Sequence, residues 1–312
     1  VNTISSMDDN ETLAVIAAFS STQPAVYYMY DMEANSLRFL ASSRPWVKPE
    51  EMAEIKPVEF QARDGLTLHG YLTLPPGSEA RNIPLVVNPH GGPWARDGWG
   101  YNPEIQFLAS RGYAVLQVNF RGSTGFGREH WLSSKKQWGG SMQNDVSDAV
   151  KWAVEQGVAN ADKVCIYGGS YGGYSALMVA ARDSGQVKCA ISVNGVTDPI
   201  LRLSEYTPDS NAYNHYELML GSGRFSDDAS RAAIMPVRQA GAMSAPILIM
   251  HGREDTRVPF RQFTRMREAT GNRPNFTFVE MEGEDHFLQS TYARSDVLNR
   301  TRTFLEAHHP VQ

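Results

Sequence analysis

The sequence has little that would suit a membrane span, a nucleic-acid partner or a disulfide framework. Its net charge is −5 at neutral pH, so it offers no general excess of basic residues to nucleic acid or anionic lipid. No apolar run reaches the roughly 20 residues that a membrane-spanning helix requires. The chain has 312 residues, of which 42% are hydrophobic and 20% charged, and this is the composition of a globular protein. We therefore expect no nucleic-acid partner and no membrane insertion.

Cysteine is scarce, since only Cys165 and Cys189 occur, each inside an apolar run. Adjacent strands could bring them close, but two cysteines imply no disulfide framework, and we expect two buried thiols. That state favours a reducing compartment, the cytoplasm. The chain begins at Val1 rather than Met, which favours a processed or partial chain.

Three regions follow one another along the chain. Residues 1–43 contain short strand-like runs separated by turn residues, which predicts a β meander. Residues 44–57 carry three prolines and are predicted to form a linker. From residue 58, a hairpin around Asp64-Gly65 is followed by apolar strands that alternate with amphipathic helices. Residues 58–312 are therefore predicted to form an α/β domain, with a mostly parallel sheet and helices on both faces.

The stretch "KVCIYGGSYGGYSALMVAARDSG" places one serine among four glycines, between a predicted strand and a predicted helix. Such a sharp turn strains the backbone of the central residue, here Ser170, and needs small neighbours such as Gly168 and Gly172. The turn raises the hydroxyl above the sheet edge at a helix N-terminus, where developing negative charge is favoured. The pattern predicts a catalytic nucleophile. The alternative is a glycine-rich turn in which the serine only caps the helix.

A serine hydroxyl needs a base to take its proton, and in an α/β-hydrolase fold the acid and the base follow the serine in chain order. Asp255 follows one later strand and His286 follows the next, so we predict that they complete the triad. Glu254 is a rival acid next to Asp255. Asp285, beside the histidine, is expected to be a solvated charge on the loop.

The other histidines have no comparable sequence context. His251 lies at a strand end and is expected to make a structural hydrogen bond, whereas His308 and His309 are expected to form a frayed chain end. No cluster of histidine and cysteine has the spacing of metal ligands, and a serine triad needs no cofactor. We therefore expect neither a metal nor an organic cofactor.

A tetrahedral intermediate also needs donors for its oxyanion. One would be the N–H of Tyr171, directly after the serine, and the second would come from the loop after an early strand, where the sequence reads His90-Gly91-Gly92-Pro93. A simple glycine turn is the alternative interpretation of that loop.

These motifs together resemble the prolyl oligopeptidase family of serine peptidases, in the branch of acylaminoacyl peptidases and related dipeptidyl peptidases. The matching segments run in compatible order over about residues 58–305, and they are "NPHGGP", "NFRGSTGFG", "DVSDAVKW", "GGSYGGY" and "PILIMHGREDTRVP". One departure is Phe287, because the usual residue after the catalytic histidine is glycine.

The resemblance implies an α/β-hydrolase fold and an N-terminal β-propeller, of which residues 1–43 would be the last blade while most of it is absent from this chain. It also implies an oxyanion hole made by the N–H groups of Gly92 and Tyr171, a loop braced by His90, and an Arg257 that binds substrate carbonyl or carboxylate groups. A peptide is the implied substrate, and assembly into a homo-oligomer stays open.

The sequence thus predicts a serine peptidase that hydrolyses short peptides through an acyl-enzyme intermediate. A carboxylesterase with the same catalytic residues is the main alternative, and a non-catalytic binding protein with this fold is a third. Residues 197–244 are expected to shape the pocket on the acyl side, with Tyr206, Tyr213 and Tyr216 as candidate lining residues.

Overall fold

The computed structural model of the chain describes residues 1–78, 81–221, 223, 225 and 227–311. Two sheets follow one another in these residues, a small antiparallel one and a large, mostly parallel one. The first sheet contains β1 Asn2–Met7, β2 Leu13–Ala18, β3 Val26–Asp31 and β4 Ser36–Ser42. The second contains β5 Ile55–Gln61, β6 Thr67–Thr73, β7 Ile83–Pro89, β8 Ala114–Asn119, β9 Ala159–Gly169, β10 Cys189–Val193, β11 Ile247–Gly252 and β12 Phe276–Met281.

Helices connect the strands of the second sheet. In chain order they are α1 Pro103–Ala109, α2 Arg128–Leu132, α3 Ser141–Glu155, α4 Tyr171–Arg182, α5 Pro199–Ser204, α6 Asn211–Leu220, α7 Asp228–Ala232, α8 Pro236–Gln239, α9 Arg261–Thr270 and α10 Thr291–His308. Within the described residues, none of them is both long and apolar enough to cross a bilayer.

The predicted meander is present as the four-stranded antiparallel sheet β1-β2-β3-β4. The buried side chain of Gln106 in α1 ties the two regions together, because its Nε2 donates to the carbonyls of Ser21 and Ala53 while its Oε1 accepts from the N–H of Ala53. The segment between the sheets is shorter than predicted, since β5 already begins at Ile55.

The predicted α/β architecture is confirmed by the eight-stranded sheet, whose strand order is β12-β11-β10-β9-β7-β8-β6-β5. The neighbours from β12 to β8 pair in parallel, while β6 pairs antiparallel with both β8 and β5. Gly65, at φ 84°, lies in the predicted turn between β5 and β6. The order of the parallel strands brings the carboxyl ends of β7, β9, β10, β11 and β12 to one edge.

The sheet separates two hydrophobic cores because successive side chains of a strand point to opposite faces. On β7, Leu85 and Val87 pack into the core that contains α3 and α4, whereas Val86 packs into the core that contains α1 and α10. All three side chains are completely buried. The predicted covering of both faces is therefore present.

The expectation of two free thiols is wrong, because Cys165 and Cys189 form a disulfide. They are directly opposite partners on the parallel strands β9 and β10, and their Cα atoms lie 4.6 Å apart, within the range that a disulfide spans. The sequence reasoning placed both residues correctly in buried strands and allowed that these strands could be neighbours. It could not pair the two cysteines, because the register between two strands cannot be read from either sequence. Because the two thiols are not free, they no longer favour a reducing compartment.

The expectation of a frayed end at His309 is also wrong. The side chain is only 2% exposed, its Nε2 lies 3.2 Å from the carbonyl oxygen of Leu85, and the hydroxyl of Tyr113 donates to its backbone carbonyl. Burial lowers the pKa of His309 to about 4. The neutral ring is therefore part of the fold, with Nε2–H donating to Leu85, while His308 is the exposed last residue of α10 rather than part of a frayed end.

This buried ring predicts a loss of stability in acid. As pH falls from the ordinary value of 6.5 towards 4, the unfolded chain takes up a proton at residue 309 that the folded chain does not. Between pH 7.5 and 5 this group alone contributes about 2 kcal/mol to the loss of unfolding free energy. His309→Gln should lose less over that interval in urea denaturation. The exposed His308→Gln serves as the control, and equal acid losses in both variants would contradict the assignment.

Candidate active site

Ser170 lies at the turn where β9 passes directly into α4. Its backbone has φ 56° and ψ −117°, which is strained for a non-glycine residue, and its N–H donates to the carbonyl of Val193 at 2.8 Å. The strand ends at Gly169 and the helix begins at Tyr171, as the motif predicted. The serine is therefore held at the start of a 12-residue helix, where the first backbone N–H groups have no partner inside the helix.

The glycines of the turn are required by close packing. A Cβ on Gly168 would lie 2.4 Å from the carbonyl carbon of Gly172, and a Cβ on Gly172 would lie 2.1 Å from the carbonyl oxygen of Pro89. No real side chain fits at such distances. The absence of both side chains lets α4 begin directly against the ends of β9 and β7.

Asp255 and His286 meet at the same edge of the sheet. Nδ1 of His286 lies 2.6 Å from Oδ2 of Asp255, whose side chain is completely buried. The other carboxylate oxygen accepts backbone N–H groups of Arg257 and Val258, each at 2.8 Å. With Nδ1–H donated to the carboxylate, Nε2 of the ring is free to act as a base. Glu254 is exposed, so the geometry selects Asp255 between the two candidate acids.

His251 stabilises the turn that carries Asp255. Its completely buried ring donates from Nε2 to the carbonyl of Val258 at 2.7 Å, and the same nitrogen lies 3.5 Å from Oδ2 of Asp255. Burial lowers the pKa of His251. The expected structural hydrogen bond is confirmed, and it holds the turn that presents Asp255.

Asn194, which the sequence reasoning missed, joins the histidine loop to the sheet. Its Nδ2 donates to the carbonyl of His286 at 3.0 Å, and its Oδ1 accepts the N–H of Gly252 at 2.8 Å. Its φ of 49° lies in the left-handed region, where asparagine is better tolerated than most residues. The signal was present as an Asn-Gly pair directly after a buried strand. On the loop itself, Oδ1 of Asp285 accepts the N–H of Phe287 and fixes the turn without glycine.

The loop after β7 lies against the serine. A Cβ on Gly91 would be 3.4 Å from Cβ of Ser170, and Gly92 has φ 126°, in the region that favours glycine. His90 stacks on Phe120 and its Nδ1 lies 2.7 Å from the carbonyl oxygen of Gly91. Burial is the main cause that lowers the pKa of His90 to about 4. The ring is therefore neutral at pH 7 and donates from Nδ1 to brace the loop.

A cavity of about 1050 Å³ opens at this edge of the sheet. Five of the predicted site residues line it, namely Gly92, Ser170, Tyr171, Arg257 and His286. His90 does not line the cavity, and its contact with the site is the hydrogen bond to the carbonyl of Gly91 in the loop after β7. The guanidinium carbon of Arg257 lies 4.8 Å from the ring centroid of Phe287, the residue that replaces the usual glycine.

The acyl-side pocket predicted for residues 197–244 is partly as expected. Tyr206 and Tyr216 line the cavity, whereas Tyr213 packs against the hydrophobic core. Ser222, Arg224 and Ser226 of that segment lie outside the described residues. The sequence reasoning missed Trp138, which lines the cavity with its ring 4.6 Å from that of Tyr171. No motif marked this residue, because only the packing of α4 brings it to the site.

Metal ligation finds no support in the described part of the chain. No group of three or more histidine, cysteine, aspartate and glutamate side chains is arranged there to hold an ion.

A model of the prolyl oligopeptidase family matches residues 99–310. The chain belongs to the prolyl oligopeptidase family, a family of serine-type peptidases. It is 40% identical over 255 residues to dipeptidyl aminopeptidase BIII of Pseudoxanthomonas mexicana, with 78% of this chain and 37% of that protein covered. It is 33% identical over 256 residues to an acylamino-acid-releasing enzyme of Sus scrofa, with 78% of this chain and 33% of that protein covered.

The chain thus spans about a third of the length of these curated relatives. Among solved structures, the acylaminoacyl peptidase of Pyrococcus horikoshii superposes with a TM-score of 0.82 at 22% identity. The match covers 99% of this chain and 50% of that one. A likeness at this identity shows a shared fold, and it confirms the predicted α/β-hydrolase architecture with its preceding antiparallel sheet.

Gly172→Ala should disrupt the site, because the new methyl group would collide with the backbone of β7. We expect a loss of about 1–3 kcal/mol of unfolding free energy, together with weaker labelling of Ser170 by a fluorophosphonate. Gly185→Ala is the matched control, since nothing lies within 4 Å of a Cβ at that position. Unchanged stability and labelling in Gly172→Ala would show that the two elements are not packed as described.

Proposed function

We propose that the chain carries the catalytic machinery of a serine peptidase that hydrolyses short peptides through an acyl-enzyme intermediate. The observation that supports it best is the hydrogen bond between His286 and the buried Asp255, made at the cavity that also exposes the strained Ser170. Family membership supports the same reaction. The relatives' names, which refer to removal of dipeptides or acylated residues, favour short peptides as substrates.

In the proposed acylation step, Oγ of Ser170 attacks the carbonyl carbon of the scissile bond while Nε2 of His286 takes the hydroxyl proton. Asp255 holds the ring orientation through Nδ1 and stabilises the imidazolium. The N–H groups of Gly92 and Tyr171 would hold the oxyanion, and each such donor contributes about 2.7–4 kcal/mol to catalysis in comparable hydrolases. The histidine then gives the proton to the leaving amine.

Water completes the proposed reaction. His286 takes a proton from water as its oxygen attacks the acyl carbon, and the ester bond to Ser170 breaks as the histidine returns that proton to the serine. Arg257 would bind a carbonyl or carboxylate group of the substrate. In support, it lines the cavity and, among the described residues, no carboxylate lies within ion-pair distance of its guanidinium.

We further propose that residues 1–43 are the last blade of an N-terminal β-propeller that restricts access by peptide size. The antiparallel four-stranded sheet and the extra length of the relatives support this interpretation. A form of the protein without the remaining blades should discriminate less between short and long peptides than the full-length protein. Equal discrimination by the two forms would argue against a screening role.

Ser170→Ala should lower turnover of a peptide substrate by about 10⁶-fold, because the variant lacks the nucleophile. The fluorophosphonate label should also disappear from the folded protein. The control is Ser184→Ala, which changes an exposed serine just beyond α4. A loss of less than tenfold in Ser170→Ala would mean that another group is the nucleophile.

Paired substrates separate a peptidase from a carboxylesterase with the same residues. We expect the protein to cleave a peptide anilide as well as the matching ester, since the histidine is placed to protonate an amine. The kcat/KM of both should be measured for the chain and for the full-length protein. Turnover of esters alone by both forms would favour the esterase.

A further inference from the structure

The cavity crosses the edge of the sheet and therefore has two parts. Trp138, Tyr171 and Tyr216 line the part above the core of α3 and α4. The other part lies above the core of α1 and α10, and we call it the α10-side lobe. It is lined by Arg44, Tyr101, Glu104, Tyr167, Leu288 and Arg294.

The position of His286 indicates that the leaving group lies in the α10-side lobe. In the proposed reaction, His286 gives a proton to the departing amine, so that amine must lie on the side of its ring. Phe287 and Leu288, the next two residues, both line the cavity, and Leu288 is packed into the core beneath this lobe. The aromatic part, next to the oxyanion donor Tyr171, is left for the acyl side.

Two guanidinium groups line this lobe, and neither forms an ion pair with a described carboxylate. Arg294 uses one N–H to donate to the carbonyl of Leu288 at 3.2 Å, which leaves four of its five donors. Arg44 lies over the ring of Tyr101, with 5.9 Å between its guanidinium carbon and the ring centroid. In the described part of the chain, neither arginine has a carboxylate oxygen within 4.0 Å.

Among the described residues that line the cavity, Glu104 is the one acid, and it offsets only part of this charge. Its Oε2 accepts from the hydroxyl of Tyr167 at 3.3 Å. Burial is the main cause that raises the pKa of Glu104, while Arg294 opposes that shift. Two arginines against one carboxylate leave the lobe with a net positive charge, although the whole protein carries −5.

We propose that the α10-side lobe binds the free C-terminal carboxylate of a short leaving group, with Arg44 and Arg294 as the ligands. The preferred substrates are then peptides that end one or two residues beyond the cleaved bond. Arginine suits this task, because its planar donors match the two oxygens of a carboxylate. This inference rests on the proposed peptidase function and specifies its substrate class.

The test compares peptides of identical sequence that end in a free acid or in an amide, with one, two or four residues beyond the cleaved bond. Mass spectrometry fixes the cleavage position. We expect the acid to be preferred by about tenfold in kcat/KM for the two shorter leaving groups and by little for the longest. The preference should decrease with added salt, because it arises between partly exposed charges.

Two charge changes should move the preference in opposite directions. Arg294→Gln should bring the acid-to-amide ratio of kcat/KM close to one, whereas Glu104→Gln should increase it, because the carboxylate that repels the substrate terminus is removed. Arg300→Gln is the matched control on the same helix, since Arg300 pairs with Asp296 and does not line the cavity. A merely structural role of Arg294 would lower both rates and leave the ratio unchanged.

A dipeptidyl p-nitroanilide, which has no carboxylate on its leaving group, distinguishes a failure of the carboxylate site from a failure of the proposed peptidase function. If the anilide is cleaved and acids and amides react equally, the carboxylate site is refuted while the peptidase stands. A preference for amides or for a basic leaving residue would refute it as well. If no peptide or anilide is cleaved, the proposed function falls, and this inference falls with it.

Discussion

The close contact between Gly172 and the carbonyl of Pro89 determines how the rest of the site is arranged. Because no side chain stands between them, the first turn of α4 rests directly on the end of β7, and the loop that follows β7 must run past Ser170. The same contact places two backbone segments on one side of the serine hydroxyl, the glycine loop and the start of a helix. In the proposed reaction, the N–H groups of these two segments would hold the developing oxyanion. A strained turn and a tight contact would thus provide the electrostatic half of the proposed site.

The other half depends on the parallel sheet. Parallel neighbours bring their carboxyl ends to one edge, so Ser170 and His286, which are more than a hundred residues apart in sequence, line the same cavity. Asp255 is fixed there by two backbone N–H groups and by the turn that His251 holds, so its position does not depend on the histidine. His286, by contrast, is carried on a loop and needs its own support. The site therefore combines a rigid acid with a base whose loop is held by a few hydrogen bonds.

Local signals explain which features could be predicted from the sequence. The glycine pattern around Ser170 predicts both the sharp turn and a nucleophile at its centre. The alternation of apolar strands with helices predicts the mostly parallel sheet. The disulfide could not be predicted, because it depends on the register between β9 and β10, and register is a property of the pair of strands rather than of either sequence. His309 was misplaced for a related reason, since a polar residue near a chain end gives no sign that a distant strand offers it a carbonyl. Trp138, in the connection between α2 and α3, is placed at the cavity by its packing against Tyr171 of α4. Distant pairings of this kind, and not local conformation, are what sequence reasoning lacked.

Few side chains could replace the asparagine at residue 194. Its amide nitrogen donates to the carbonyl of His286, and its amide oxygen accepts the N–H of Gly252. Its backbone is in a left-handed conformation. Aspartate would keep the size but lose the donor, leucine would lose both groups, and glutamine would place the amide one methylene too far away. Glycine would relieve the backbone, but it has no side chain with which to join the histidine loop to the end of β11. Among these alternatives only asparagine meets all three demands, although the proposed reaction gives it no chemical step.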